Sequence, residues 1–364
     1  MALGLPNITI IFKGLASSAI ERSERGIVAC ILKDDTEGGQ RMSTYESVID
    51  IDFEHWTEAN YGFLKLIFAG GPVRVIALRE KTASANLSSA LKELMYLRWN
   101  YLCYPEIEED DKTTLTAWIK EMRNESHKTF KAVLSSSASD HEGIINLTTD
   151  KIQSSITGKT HSAKEYCARI AGVLAGLPLS RSSTYYVLSD ILGADCPSDP
   201  DARIKAGELI IVYDGEKYKI GRGVNSLTTL SGEKTGDMQK IKIVEGMDLY
   251  QDDIRNTFTD SYVGKYVNDY DHKQMFVAAV QAYQAELAGD VLDAGYGNTA
   301  AVDAEAQKKY LQEKRAGHIT DDRNGDPDGQ YRLTGLYCIK REVCGCHGRS
   351  ADDREYVRRQ LWQD

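Results

Sequence analysis

From residue 26 to residue 134 the chain alternates short apolar runs of strand character with stretches whose apolar residues recur at helical spacing. The runs are Gly26–Leu32, Val73–Leu78, Tyr101–Cys103 and Phe130–Leu134. Between them lie Glu54–Phe68, which ends at Gly70-Gly71, then Asn86–Tyr96 with Leu87, Leu91, Leu94 and Met95 in register, and Thr113–Arg123. Strands joined by connections of this length cannot be hairpin neighbours, and a helical crossover returns the chain to the same end of a sheet. The pattern therefore predicts an α/β domain with a largely parallel sheet. Ala163–Ala175 is a further helix rich in small residues, able to pack closely and closed by Pro178.

At 364 residues there is room for two domains with ordinary cores. A smaller α+β domain is expected from about residue 200. Asp214-Gly215 joins Glu208–Tyr213 to Glu216–Ile220 as a β-hairpin. Gln239–Val244 reads as another strand, and helices are expected near 248–263, 272–287 and 301–315. The net charge of −10 argues against nucleic acid as a partner. No run of 18 apolar residues is present to insert in a membrane, and the N-terminus lacks the basic flank and apolar core of a signal peptide. The chain is thus expected to stay in the cytoplasm until lysis. Cys30, Cys103, Cys167 and Cys196 are scattered without a CxxC pair, which fits buried reduced thiols.

Several groups invite an enzymatic reading. Gly221 and Gly223 are expected to give the chain unusual backbone angles as it leaves the hairpin, but no Lys-Ser/Thr pair or helix follows them, as a phosphate loop requires. A structural turn is the simpler account, and no cofactor is implied. Asp140-His141-Glu142 has catalytic residue types, yet neighbours on a strand point to opposite faces and no nucleophile motif accompanies them. Asp252-Asp253 and Asp269/Asp271 are candidate metal carboxylates, with a solvated helix face as the alternative. Asp322–Gly329 is faintly like a calcium loop but has Leu333 where the bidentate Glu belongs. Cys344, Cys346 and His347, with Cys338 nearby, match no standard zinc spacing. A soluble α/β enzyme or ligand-binding protein with a cleft at its strand ends remains the alternative function.

Separate landmarks along the chain carry a family resemblance. They are Gly4–Phe12 with Arg25–Val28, His141–Asn146, Arg169–Ser180, Gly223-Val224-Asn225-Ser226-Leu227-Thr228, Lys240–Val244 and Ile254-Arg255. In this order they resemble the contractile tail sheath proteins of phages and phage-tail-like bacteriocins of Gram-positive bacteria, over roughly residues 1–322. The resemblance implies a sheath-type α/β core domain at 21–199 and a smaller α+β domain at 200–322, with extended terminal arms. It implies a subunit that forms hexameric rings stacked into a helical tube. Its partners would be the tail tube, baseplate and tail terminator proteins, first in the host cytoplasm and then in the virion or tail-like particle. Contraction would drive the tube through a cell envelope without nucleotide hydrolysis. Residues 1–20 then form an N-terminal arm. Its Asn7, Ile8, Thr9, Ile10, Ile11 and Phe12 would add a strand to a neighbour's sheet, and Glu216–Ile220 and 240–244 would be acceptor elements. Lys308, Lys309 and Lys314 are candidate tube-facing cations, with a solvated face as the alternative.

Residues 323–364 depart from that pattern. They carry three of the seven cysteines, many arginines and no apolar periodicity. One permitted set of codons for Gly345–Val357, read one base later, encodes Asp-Ala-Met-Glu-Asp and seven further residues before a stop. That product resembles the family's C-terminal arm. The same shift after Asp322 is also family-like, so a one-base frameshift near residue 322 is the expectation. A strand at Gln330–Ile339 in the present frame is the alternative.

Overall fold

A computed structural model describes residues 20, 24–232, 234–267, 269–303 and 305, together with the strands at 333–337 and 357–361. Asn7–Phe12, the helix expected at 301–315 beyond residue 305, the calcium-like loop and the Cys344–His347 cluster lie outside the described residues.

In chain order the first lobe contains Ile27–Lys33 (β1), Met42–Tyr45 (β2), Glu58–Phe68 (α1), Arg74–Glu80 (β3), Leu87–Leu94 (α2), Tyr101–Cys103 (β4), Glu109–Asn124 (α3), Lys131–Ser135 (β5) and Ile144–Leu147 (β6). Asp150–Ser154 (β7), Lys159–His161 (β8), Ala163–Gly176 (α4), Ile191–Asp195 (β9), Pro200–Lys205 (α5) and Glu208–Leu209 (β10) follow. Seven strands form one sheet in the order β10-β6-β5-β4-β1-β3-β2, parallel throughout except at the β2 edge. β1 shows how sequence builds the layers. Val28, Cys30 and Leu32 face a core shared with α1 and α4, whereas Ile27, Ala29 and Ile31 face a core shared with α2 and α3. Successive side chains point to opposite faces, so a strand apolar at every position needs helices on both sides.

Helices α1 and α4 approach until backbone meets backbone. A Cβ on Gly172 would lie 2.0 Å from the Ile67 carbonyl oxygen, and one on Gly176 would lie 2.1 Å from that of Gly70. Only glycine fits there. A capping box at Ser162 and Glu165 starts α4 and fixes its direction.

A second, three-stranded sheet, β8-β7-β9, was not anticipated. The hairpin was: Ile211–Tyr213 (β11) pairs with Tyr218–Ile220 (β12). Asp214 Oδ1 accepts from the amides of Glu216 at 3.0 Å and Lys217 at 2.7 Å to close the turn. β10, Ile211 and Ile220 all belong with the first lobe, so that lobe's sheet extends past residue 200.

The second lobe is built on Ile241–Ser261 (α6) and Tyr270–Leu287 (α7), with Thr299–Val302 (β13), Leu333–Tyr337 (β14) and Val357–Leu361 (β15) as an antiparallel sheet. The strand expected at 240–244 is the first turn of α6. Lys240-Ile-Lys-Ile-Val244 alternates like a strand, but its apolar residues also serve a helix with two cores. Ile241 packs into the first lobe, while Ile243, Met247, Tyr250 and Ile254 pack with Phe276, Val280 and Tyr283 of α7. Residues 299–302 are likewise strand rather than the start of the expected helix at 301. β14 falls inside the in-frame strand alternative at Gln330–Ile339.

Candidate functional site

The functionally informative region is the joint between the lobes, where α6 crosses the amino ends of β1, β4 and β5. Its Glu245, Asp248 and Asp252 recur at helical spacing and meet three cations from distant parts of the sequence. Arg123 grips Asp248 with two bonds of 3.1 and 2.9 Å, and Lys131 Nζ lies 2.7 Å from Asp248 and 2.8 Å from Glu245. Arg25 donates to Glu245 at 2.9 Å and to Asp252 at 3.0 Å, and Thr129 Oγ1 donates to Asp252 at 2.6 Å. The Lys131 ammonium also sits 5.0 Å above the Tyr101 ring. Asp248 is fully buried, with Lys131 1% and Arg123 5% exposed.

Burial alone would push these carboxyls up. At Asp248 the charges of Arg123 and Lys131 win and hold it well below the usual range. Glu245 is held down in the same way by Lys131 and Arg25. At Asp252 burial wins, and its carboxyl is raised despite Arg25. The reading of Asp252 and Asp253 as a solvated face or a metal pair fails: Asp252 is tied to Arg25, and Asp253 is buried and accepts from the Tyr283 hydroxyl. Asp269 is the N-cap of α7, accepting from His272 N at 2.9 Å.

The segment Gly223–Thr228 latches the same joint. The Ile241 amide donates to the Gly223 carbonyl at 3.0 Å, and the Asn225 amide donates to Gln239 O at 2.9 Å. Asn225 Nδ2 reaches Met238 O at 2.7 Å, and the Ser226 amide reaches Ile144 O at 2.8 Å. Val224 bridges Lys240, and Leu227 is buried in the second-lobe core. Asp140 Oδ1 accepts from Thr228 N at 2.7 Å, Thr229 N at 2.8 Å and Thr228 Oγ1 at 3.1 Å. Neither Gly221 nor Gly223 has a positive φ, contrary to expectation. Gly223 is needed for close approach instead, since a Cβ there would fall 2.3 Å from Ser183 Oγ.

His141 and Glu142 are not on a strand but in the turn before β6, which is why both turn inward, with His141 Nε2 3.8 Å from Glu142 Oε2. The Gly143 amide donates to His141 Nδ1 at 3.0 Å, and Lys234 lies 3.1 Å from Glu142. Burial lowers His141 to about 4, while His141, Arg123 and Lys234 overcome burial and lower Glu142 to about 2. At the opposite, carboxyl end of the sheet, Asp34 accepts from Thr57 N at 2.9 Å, Asn60 Nδ2 at 2.7 Å and Thr36 N at 2.9 Å. Arg79 stacks on Trp56 at 4.2 Å and donates to Thr36 O at 2.7 Å. Asp140, His141, Glu142, Asp252, Asp253 and Asp269, which sequence marked as potential chemistry, are thus engaged in holding segments together. No described helix is long and apolar enough to cross a membrane.

Sequence had no way to find the joint. Its cations and carboxylates are separated by more than 100 residues, and local periodicity shows only acids on a helix.

A doubly wound α/β lobe carrying a helical second lobe, pinned by buried charge, defines a structural building block. Residues 80–226 match the model of the phage tail sheath protein central domain. The chain is 37% identical over 351 residues to the tail sheath protein of Clostridium phage phiCD119, covering 93% of this chain and 96% of that one. In fold it is similar to the crystal structure of the sheath tail protein of Desulfitobacterium hafniense, with TM-score 0.69, 14% identity and 98% and 99% of the two chains covered. It is also similar to the helical sheath of the anti-feeding prophage in its contracted state, with TM-score 0.71, 12% identity and 97% and 100% coverage. The chain belongs to the phage tail sheath protein family. It is a structural tail sheath subunit and not an enzyme.

Proposed function

We propose that this subunit polymerises as hexameric rings stacked around a tail tube and that contraction of the polymer drives the tube through the target envelope. Its partners in this reading are further copies of itself, the tube, the baseplate and a tail terminator, with assembly in the host cytoplasm before release of the particle. The observation that carries the reading is the similarity to a tail sheath protein over nearly the whole length of both chains. The buried joint supports it, because a lattice that rearranges needs subunits that do not come apart internally. Asn7–Phe12 is proposed as the strand lent to a neighbour, and Glu216–Ile220 as part of the acceptor.

The segment after Asp322 bears on how complete the present chain is. Its composition supports a one-base shift. The pairing of β14 with β13, and a 93% match that residues 1–322 alone cannot supply, support a contribution from the present frame. Negative-stain microscopy of the concentrated protein, beside a version with the shifted frame restored, tests both points. Tubes or stacked rings in either sample support the sheath polymer, and tubes in the restored version alone support the lesion. Dispersed monomers in both, even with purified tube added as template, would refute self-assembly. Nucleotide sequence across codons 318–358 decides the frame independently.

A further inference from the structure

Directly after β2, residues 46–54 carry Glu46, Asp50, Asp52 and Glu54 with no lysine or arginine among them. Two large apolar side chains stand out from this strip, Ile49 at 88% and Phe53 at 55% exposed. Local hydrogen bonding explains the display. Asp50 accepts from Ser47 N at 2.8 Å in a capping box, and Asp52 accepts from Glu54 N at 3.0 Å, so two short 3-10 turns fix the strip. Asp52 also lies 3.3 Å from His55, but none of the four acids meets a lysine or arginine among the described residues. Nearby, Lys159 is taken by Glu58 at 2.8 Å, and Lys65 sits over Tyr61 at 5.0 Å. A lone exposed apolar residue means little, but an apolar pair rimmed by like charge has the make-up of a contact surface.

A face of the opposite character follows β10, the other edge strand. Residues 185–188 run beside β12: Tyr185 N donates to Ile220 O at 2.8 Å, Leu188 N donates to Tyr218 O at 2.9 Å, and Val187 bridges Lys219. Ile220 and Leu188 turn into the first-lobe core, so Lys219 and Val187, one position along, turn outward. Tyr185 is 62% and Val187 37% exposed. On residues 181–188 and 214–222, Arg181, Lys217, Lys219 and Arg222 outnumber Asp214 and Glu216. Lys219 pairs with Asp214 and Arg181 rests over Tyr186 at 5.1 Å, whereas Lys217 and Arg222 are exposed and meet no carboxylate among the described residues. Tyr185 also has a φ of 56°, a left-handed conformation that is costly for a bulky aromatic. The chain keeps that strain at a ring turned largely to solvent and outside the first-lobe core.

We propose that the acidic Ile49–Phe53 strip of one copy docks on the basic Tyr185–Val187 face of the next, an apolar contact ringed by opposite charge. It rests on the sheath reading and names two surfaces that such a polymer would use. The occupant is a second copy because the chain itself carries the counterpart of each face, apolar against apolar and acid against base. Strip and face follow opposite edges of one sheet, β2 and β10. A contact between two different patches propagates into rings or open helices instead of closing a dimer.

The test uses two charge-reversed full-length proteins, Lys217→Glu/Arg222→Glu and Glu46→Lys/Glu54→Lys, examined by sedimentation velocity at low salt. Asp50 and Asp52 are left in place because they fix the turns. Each reversed protein alone loses self-association by roughly tenfold or more, because like charges face each other. Mixed together, they associate one to one, since each keeps the face that the other lacks. Both effects fade toward 1 M salt, where screening acts over about 3 Å. A chain carrying all four reversals regains association. Tyr185→Gly separates docking from folding. Glycine takes a positive φ without strain, so this variant melts no lower than wild type yet associates roughly fivefold or more weakly.

A mixture that stays monomeric while both proteins melt like wild type overturns the contact, whether or not wild type associates. Should a reversal lower the melting temperature, the neutral Lys217→Gln/Arg222→Gln and Glu46→Gln/Glu54→Gln replace the pair, with a smaller loss of self-association expected from each. Wild-type tubes in negative stain whose formation ignores every substitution count against this contact alone. Pairing in the mixture, with no tubes from wild type even on added tail tube, upholds the contact and counts against the sheath polymer alone. Substitutions that weaken binding to purified tail tube but leave self-association intact also overturn the contact, and assign the face to the tube.

Discussion

Asp248→Asn is the most informative single perturbation of the joint. It removes one charge and few atoms, so packing changes little. Arg123 then loses its bidentate partner, and Lys131 keeps only Glu245 at 2.8 Å. Breaking a buried pair while leaving its cations in place costs about 3–5 kcal/mol, because Arg123 stays buried without its bidentate counter-ion. For a protein of this size that lowers the melting temperature by roughly 4–7 °C. Glu58→Gln supplies the control. Its pair with Lys159 is 2.8 Å long, as short as those in the joint, but both side chains are more than half exposed. Water and salt screen that pair, and its loss scarcely moves the melt. Circular dichroism at 222 nm follows both variants.

The pH dependence has a definite sign. The Asp248 carboxyl is depressed in the folded state, so its contribution is complete above the unfolded value of about 3.9 and is lost as pH falls through the folded one. The gap between wild type and Asp248→Asn is therefore constant from neutral pH to about 4 and narrows only below it. An Asp248→Asn protein melting within about 2 °C of wild type at pH 7 would refute the argument that buried charge pins α6 to the sheet.

Gly172→Ala drives a methyl into the Ile67 carbonyl and is expected to cost about 1–3 kcal/mol or more, read by urea denaturation, whereas Ala171→Gly at the next position creates no such clash. His141 has a folded value lowered to about 4, so stability is lost as pH falls from about 6.5 toward 4. His141→Gln flattens that part of the profile, and the wild-type imidazole signals in NMR stay neutral until near pH 4. Burial raises the thiols of Cys30 and Cys167 well above their usual value. Peptide mapping after iodoacetamide treatment of native protein should find Cys196, which is only half-buried, labelled ahead of Cys30, Cys103 and Cys167.

In the first lobe β1, β3, β4, β5 and the helices α1 to α4 were legible because each satisfies its own short-range pattern, whereas β2, β6, β7, β8 and β9 were not anticipated. β1, β3, β4 and β5 are apolar at successive positions, and α2 repeats its leucines at helical spacing. The start of α6 was not legible. Its two cores use Ile241 on one side and Ile243 on the other, which looks like strand alternation until the partners are known. The joint was hidden for a related reason. Glu245, Asp248 and Asp252 form a plain acidic helix face, and only folding reveals that Arg25, Arg123 and Lys131 wait opposite. The loop at Gly223–Thr228 was recognised by resemblance, but its role as a latch came from its hydrogen bonds.

Ile20 is buried with the α6–α7 core, although the chain builds the entire first lobe between residue 24 and that core. Seen from the ribosome, the second lobe is begun first and finished last. The first lobe can fold as soon as it emerges, but Ile20 has no partners until α6 and α7 have been made, more than 200 residues later. Half-made chains therefore lack the closed joint. The order of synthesis itself delays its closure until α6 has been made.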